Sequence, residues 1–238
     1  MRILQFFMGA FVVLLYGCNE DEATIKSQTL DYTWESGDEG WRFGYSDYPA
    51  NLSLGDSLEL YAMNYGHRTL PAEIVPAQKG MLIAGANRSD DLFMYLFKTV
   101  EGLTPSAEYS VEMEVQLASN APTNAVGIGG APGEAVTIKA GATSIEPRVV
   151  IEDGWYRMNL DKGNQSIGGS NMVVIGNAGV KDDTRQYELI TRKTDSPLKV
   201  KADSNGKIWL IVGSDSGFEG YTALYYAQLR VTVRSIPD

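Results

Sequence analysis

The chain has 238 residues, a formal net charge of −10 and a single cysteine. The excess of acidic residues argues against nucleic acid or an anionic membrane surface as the binding partner, because both are bound through basic patches. One cysteine cannot form an intramolecular disulfide, so the fold must depend on a hydrophobic core, which a chain of this length can build.

The amino terminus has the features of an export signal. Residues 3–17 carry no charge and follow Arg2. This segment is too short for a permanent membrane span and has the length of the hydrophobic region of a secretory signal peptide. It ends in LYGC, residues 15–18, which resembles the lipobox of bacterial lipoproteins; the resemblance implies cleavage before Cys18 and lipidation of that residue. An ordinary signal peptide followed by a chance cysteine is the alternative.

We therefore predict a signal peptide over residues 1–17 and a polar tether over residues 18–30. Residues 19–22 read NEDE, which resembles the acidic export signal of surface lipoproteins in the Bacteroidetes group. A solvated linker is the alternative interpretation. The resemblance implies a lipid-anchored protein of the cell envelope, at the outer membrane or the cell surface, with the lipid as its sole membrane contact.

Two segments near the middle of the chain have the clearest strand patterns. Residues 92–97 are all apolar, which predicts a strand that is buried on both faces. Residues 108–117 alternate between apolar and polar side chains, which predicts one face on the core and one in water. We expect these two strands to be neighbours, joined by the turn at residues 101–107.

Short strands separated by Gly, Asn, Asp and Pro account for the rest of the domain, without a convincing helical stretch. This pattern predicts an all-β fold, a β-sandwich or barrel, in a single domain over residues 31–238. The last strand is expected to alternate without interruption, with Tyr226 on the face opposite to Leu229. The other strands are predicted at residues 32–35, 41–45, 57–61, 81–86, 125–128, 136–140, 156–160, 172–175, 187–191, 198–202, 208–212 and 223–233.

Three motifs carry a family resemblance. They are WESG at residues 34–37 before GW, VEGLTP at residues 100–105 followed by Tyr109, and YY at residues 225–226 before a closing RV. Together they resemble carbohydrate-binding modules and, more broadly, galactose-binding-type jelly rolls, although fibronectin type III domains carry a corner similar to the middle motif. The resemblance implies that the domain is a jelly-roll β-sandwich and that it binds carbohydrate.

The resemblance also raises the question of calcium. Many such modules hold a structural calcium ion between an acidic residue on the first strand and an aspartate on the last strand. Glu35 could fill the first role, but Ala227 stands where the aspartate is expected. We therefore expect no cofactor, with structural calcium as the open alternative.

The motifs that could support catalysis are incomplete. His67 is the only histidine, and residues 213–217, GSDSG, have Asp215 where a nucleophile elbow needs serine. Residues 127–133, GIGGAPG, have the glycine spacing of a phosphate-binding loop, but a strand rather than a helix is predicted after them. We expect no catalytic residues, no metal site and no enzymatic activity. A glycoside hydrolase stays open, because the 30 acidic residues could supply two facing carboxylates.

Aromatic residues in predicted loops and at strand ends are the strongest functional signal. Sugar rings stack on aromatic side chains, and nearby polar groups bind their hydroxyls. Core packing of the same residues is the alternative, and Trp209 in particular is expected to be buried. A partner-binding subunit of an outer-membrane assembly is the competing function, and the oligomeric state stays open. The residues predicted to contact a carbohydrate or an envelope protein are Trp41, Tyr45, Arg88, Asp90 and Trp155, out of a wider set that includes Tyr48, Tyr61, Tyr65, Phe218, Tyr221 and Tyr226.

Overall fold

The computed structural model describes residues 27–181 and 185–237. The predicted signal peptide, Cys18 and most of the predicted tether lie outside the described residues. The first strand begins at Ser27, so residues 27–30 belong to the folded domain rather than to the tether.

The described residues contain seventeen strands and one short helix. The elements in the first half are β1 Ser27–Tyr32, β2 Arg42–Ser46, β3 Tyr48–Pro49, α1 Leu54–Leu60, β4 Asn64–Thr69, β5 Lys79–Ala86, β6 Leu92–Val100, β7 Glu108–Ser119 and β8 Ala121–Pro122. The second half contains β9 Val136–Thr143, β10 Val149–Glu152, β11 Trp155–Met158, β12 Met172–Asn177, β13 Gly179–Val180, β14 Glu188–Lys193, β15 Leu198–Lys201, β16 Ile208–Ser216 and β17 Tyr221–Ser235.

Two large antiparallel sheets pack face to face. Sheet A has the order β14-β7-β17-β5-β4, with β1 also paired to β17 and β15 also paired to β7. Sheet B has the order β12-β9-β16-β6-β2. A small sheet, β10-β11-β3, and a parallel pair, β8 and β13, complete the domain. The predicted all-β jelly-roll sandwich is confirmed.

The central strands show the predicted burial but not the predicted pairing. In β6, Leu92, Met94 and Leu96 face the core between the sheets, whereas Phe93, Tyr95 and Phe97 pack on the other side of sheet B. The alternation of β7 is also confirmed, with its odd-numbered residues buried. However, β6 lies in sheet B and β7 in sheet A, so the expectation that they are neighbours is wrong. The Tyr109 hydroxyl accepts a hydrogen bond from Thr104 N at 2.8 Å and fixes the crossing between the sheets.

Three other sequence predictions are corrected by the structure. Residues 57–61, predicted as a strand, belong largely to α1, whose first turn is capped by the Ser53 hydroxyl, which accepts from Asp56 N at 3.1 Å. Residues 125–128 do not form a strand. A β-bulge between Tyr226 and Gln228 interrupts β17, so that Tyr226 and Leu229 are both fully buried. None of the helices among the described residues has the length and apolarity needed to cross a membrane.

Candidate functional site

An exposed pair of aromatic rings bridges the edges of the two sheets. The edge strand β2 of sheet B carries Phe43, and the edge strand β4 of sheet A carries Tyr65. Their rings are stacked, with centroids 3.3 Å apart and planes at 25°. Phe43 is half-buried, and Tyr65 is 40% exposed. This aromatic pair, Phe43 and Tyr65, therefore presents an aromatic surface to solvent where the sandwich is open.

Buried polar contacts hold the two edges together beneath the aromatic pair. The Tyr45 hydroxyl of β2 lies 3.0 Å from Asn64 O and 3.1 Å from Ala84 O, so it can donate to sheet A from sheet B. Burial raises the pKa of Tyr45, which keeps the hydroxyl protonated as a donor. On β4, His67 Nε2 lies 2.6 Å from Trp34 O. One ring nitrogen of His67 is therefore engaged with the backbone of the segment that follows β1.

On one side of the aromatic pair lies a cavity of about 450 Å³, here called the apolar pocket. Strand β11 and helix α1 supply its outer walls. Tyr48 and Tyr156, which are paired across β3 and β11, pack their rings with centroids 4.8 Å apart. The side chains around this cavity are apolar or aromatic: Phe43, Tyr45, Tyr48, Leu54, Leu58, Met63, Tyr65, Val149 and Tyr156.

On the other side of the pair lies a cavity of about 730 Å³, here called the polar pocket. Its name refers to Asp38, Arg42 and His67, which contribute polar groups to its wall. The other side chains of the wall are aromatic or apolar: Trp41, Phe43, Tyr65, Met81 and Phe97. The Arg42 guanidinium packs on two aromatic rings, with its Cζ 4.6 Å from the Phe97 ring centroid and 5.2 Å from the Trp209 ring centroid. Arg42 Nη2 also donates to Glu146 Oε1 at 2.7 Å. The polar pocket thus offers a pre-positioned donor next to the aromatic pair.

The residues predicted to contact a ligand do not form one site. Trp41 and Tyr45 are only 3% and 6% exposed, so the expectation that they offer free ring faces is wrong. Trp41 packs edge-on against Tyr32 and Trp34 because the chain must close the open side of the core. Tyr45 lines the apolar pocket, and Trp41 lines the polar pocket.

The other three predicted contact residues lie outside both pockets. Arg88 is exposed and its Nε donates to Leu60 O at 3.0 Å. Asp90 is exposed, and its carbonyl accepts from Gln165 Nε2 at 2.8 Å. Trp155 is half-buried and lies against Arg157, whose Cζ is 4.9 Å from the ring centroid.

Trp209 also departs from its prediction. It is half-buried on the outer face of sheet B, next to Phe97, rather than in the core. Ile208 and Leu210 point into the core, and the period of two in a strand turns Trp209 the other way. The alternating pattern around Trp209 in the sequence could have identified its outward orientation. It could thereby also have identified the ring on which Arg42 packs.

A buried cluster of charged residues lies on the outer face of sheet B, and the sequence did not indicate it. Lys139 Nζ donates to Asp215 Oδ2 at 2.7 Å, and both side chains are fully buried. Lys162 Nζ lies 2.8 Å from the same oxygen and 3.2 Å from Asp47 Oδ2. Arg157 Nη1 donates to Asp47 Oδ1 at 2.6 Å. Asp215 of β16 therefore takes part in a network of ion pairs. It is the residue that stands at the serine position of the segment compared with a nucleophile elbow.

Asp91 completes this charged cluster. Burial, followed by repulsion from Asp215, raises the pKa of Asp91 to about 7, while Lys162 acts in the opposite direction. Burial lowers the pKa of Lys139 against the attraction of Asp215. Burial also opposes the charge of Lys162, but the carboxylates of Asp215, Asp47 and Asp91 together raise its pKa. The cluster fastens the segment that carries Arg157 and Lys162 to the sheet.

No group of three or more His, Cys, Asp or Glu side chains suited to a metal ion occurs in residues 27–181 and 185–237. Glu35, the candidate calcium ligand, is exposed, and its Oε1 accepts from Lys79 N at 3.2 Å. The glycine-rich residues 127–133 form turns between β8 and β9. The loop is thus not followed by the helix that phosphate binding requires.

No protein-family model matches the chain, and no curated protein matches it. Solved structures that resemble it include the carbohydrate-binding module TmCBM61 in complex with beta-1,4-galactotriose, with 11% identity, a TM-score of 0.37 and coverage of 83% of this chain and 92% of that one. A carbohydrate-binding module that recognises mannan, TmCBM27, has 10% identity and a TM-score of 0.35, over 87% and 98% of the two chains. The K3 adhesin domain of Lys-gingipain from Porphyromonas gingivalis has 10% identity and a TM-score of 0.39, over 87% and 99%. Carbohydrate-binding modules are thus among its structural neighbours, but similarities this low carry no conclusion about the ligand of this chain.

Proposed function

We propose that this domain binds a carbohydrate, without catalysis, in the groove formed by the aromatic pair and the two pockets beside it. The observation that carries the proposal is the stacked pair of half-buried Phe43 and exposed Tyr65, with Arg42 packed at its side. The C–H face of a sugar ring packs on an aromatic ring, and charged or amide groups at the rim bind its hydroxyls. Arg42, Asp38 and His67 provide such groups in the polar pocket.

We also propose that a lipid on Cys18 anchors the domain to the cell envelope, at the outer membrane or cell surface. The support is the sequence LYGC at residues 15–18 and the acidic run that follows it. Labelling with a radioactive fatty acid tests the anchor: the wild-type chain should incorporate label, and a Cys18→Ala variant should not.

Carbohydrate binding is tested with the purified protein on an array of glycans and polysaccharides. Tyr65→Ala should weaken a selective hit about tenfold, because it removes the stacking surface. Tyr221→Ala is the matched control, since Tyr221 is 54% exposed and lies outside both pockets. Repeating the screen with a chelator tests the calcium alternative.

The proposal is wrong if a broad array gives no selective hit, or if Tyr221→Ala weakens binding and Tyr65→Ala does not. Hydrolysis of a bound glycan that is lost on substitution of one carboxylate would instead identify an enzyme.

A partner-binding subunit of an envelope assembly is the second candidate. The observation in its favour is that most of the predicted loop aromatics are buried in the core of the domain, whereas Val149, Val150 and Ile151 of β10 are exposed in succession. Co-purification from the native envelope tests this candidate. A stoichiometric partner that is lost on Ile151→Asp, together with a blank glycan array, would favour it over carbohydrate binding.

A further inference from the structure

The apolar pocket is poorly suited to a bare sugar ring. Its walls are hydrocarbon and aromatic, and the Tyr45 hydroxyl within them already lies 3.0 Å and 3.1 Å from two backbone carbonyls. A hydroxyl that is buried without a hydrogen-bond partner loses its hydration with no compensation. A saccharide that filled this pocket would bury several such hydroxyls. The pocket therefore suits an apolar group.

The apolar pocket is nevertheless continuous with the surface proposed to hold the sugar. Phe43 and Tyr65 contribute to the walls of both pockets, so a ring stacked on the aromatic pair lies at the boundary between them. A substituent on one side of such a ring would enter the apolar pocket, while hydroxyls on the other side would face Arg42. The two pockets thus divide one ligand into a polar part and an apolar part.

Two exposed apolar residues at the rim of the apolar pocket support this division. Leu54 of α1 is 64% exposed, and Val149 of β10 is 38% exposed. Both line the pocket together with the buried rings of Tyr48 and Tyr45. A cavity of about 450 Å³ lies within the range of small-ligand sites, roughly 300–1,000 Å³. An aliphatic chain in it would cover apolar surface that is otherwise in water.

We propose that the ligand of this domain is a carbohydrate that carries an apolar aliphatic group, and that the apolar pocket binds that group. This inference rests on the proposed carbohydrate binding and adds the chemical class of the ligand. An acyl substituent on the sugar and the chain of a glycolipid share the chemistry that the pocket recognises.

The experiment compares methyl and hexyl β-glycosides of glucose, galactose and mannose by titration calorimetry, below their micellar concentrations. For at least one sugar, the hexyl glycoside should bind at least about tenfold more tightly than the methyl glycoside, because the added methylenes are buried. A butyl glycoside and an octyl glycoside of that sugar separate the two sources. Affinity that stops rising at butyl indicates an acyl substituent, and affinity that rises through octyl indicates a glycolipid chain.

Val149→Asp should abolish the advantage of the hexyl glycoside over the methyl glycoside, because Val149 lines the apolar pocket. Val150→Asp is the matched control: it is the next residue of β10, is 41% exposed, points to the other face of the strand and lies outside the pocket. Leu54→Asp is a second variant at the rim and is used if Val149→Asp unfolds, as judged by circular dichroism.

Each outcome separates the inference from the proposed function. Equal affinity for methyl and hexyl glycosides overturns the inference and leaves carbohydrate binding in place. A hexyl advantage that survives both Val149→Asp and Leu54→Asp also overturns it. Binding of all three hexyl glycosides with the same affinity and of no methyl glycoside overturns carbohydrate binding and, with it, the composite ligand. Absence of binding by all six glycosides overturns the inference, and a blank on the broad glycan array overturns carbohydrate binding as well.

Discussion

Replacing Asp91 by asparagine should make the stability of the protein less dependent on pH. The Asp91 side chain is 22% exposed, and its Oδ1 lies 3.8 Å from Lys162 Nζ. Burial and the nearby charge of Asp215 raise its pKa to about 7, and Asp47 adds to this effect. The other charged groups of the cluster are Lys139 and Arg157. In this setting the folded state favours the protonated form of Asp91.

The sign of the effect follows from comparing the folded and unfolded states. In the unfolded chain the carboxyl has an ordinary pKa of 3.8, and in the folded protein it has a pKa of about 7. The protonated carboxyl therefore contributes stability that is fully present below about pH 4 and is lost as the pH rises through about 7. The change in pKa sets a ceiling of about 4 kcal/mol. Because the carboxyl is partly exposed, we expect about 1–2 kcal/mol between pH 5 and pH 8.

Urea unfolding of the wild type and Asp91→Asn at pH 5, 6, 7 and 8 measures this difference. Asparagine cannot ionise, so the free energy of unfolding of Asp91→Asn should rise by about 1–2 kcal/mol relative to the wild type across this range. Asp90→Asn is the control, because Asp90 is the exposed neighbour outside the cluster, and its curve should run parallel to that of the wild type. Parallel curves for Asp91→Asn would refute the argument that the folded protein holds this carboxyl protonated.

Two substitutions test the buried hydrogen bonding and the packing of the sandwich. Asn87→Ala should lower the free energy of unfolding in urea by about 2–4 kcal/mol. The reason is that the Asn87 side chain donates to Ser216 O and Phe218 O and accepts from two backbone N–H groups. Asn64→Ala is the control at an exposed position and should change the free energy of unfolding by less than about 0.5 kcal/mol. Gly44→Ala should cost about 1–3 kcal/mol, since its Cβ would lie 2.3 Å from the buried Tyr95 ring. A loss below about 0.5 kcal/mol in either case would show that the surroundings adjust freely.

The burial pattern of the two central strands was predicted well from the sequence, because the pattern of apolar and polar side chains along a strand is visible in neighbouring residues. The apolar run of residues 92–97 and the alternation of residues 108–117 are both confirmed. Which strands lie side by side has no such local signature, and β6 and β7 proved to belong to different sheets. Helix α1 was missed because it has only seven residues, too few for a helical period to stand out from a strand pattern.

The candidate site was harder to predict, because the exposure of a ring depends on residues far away in sequence. Trp41 and Tyr45 are in segments rich in glycine and polar residues, yet they close the core where the sheet edges meet. The exposed pair joins Phe43 to Tyr65, and only the approach of β2 to β4 brings them together. Tyr65 was among the wider set of candidates, whereas Phe43 was not.

The buried charged cluster is best explained by the wall that it fixes beside the groove. Tyr156 and Arg157 are neighbours in β11, and neighbouring residues of a strand point to opposite faces. Arg157 binds Asp47 on one face at 2.6 Å, while Tyr156 packs on Tyr48 on the other. Buried ion pairs add little to stability once desolvation is counted, but their geometry is specific. The cluster thus orients Tyr156. At the proposed carbohydrate site, a wall that is ordered before binding would lower the entropic cost of holding the ligand.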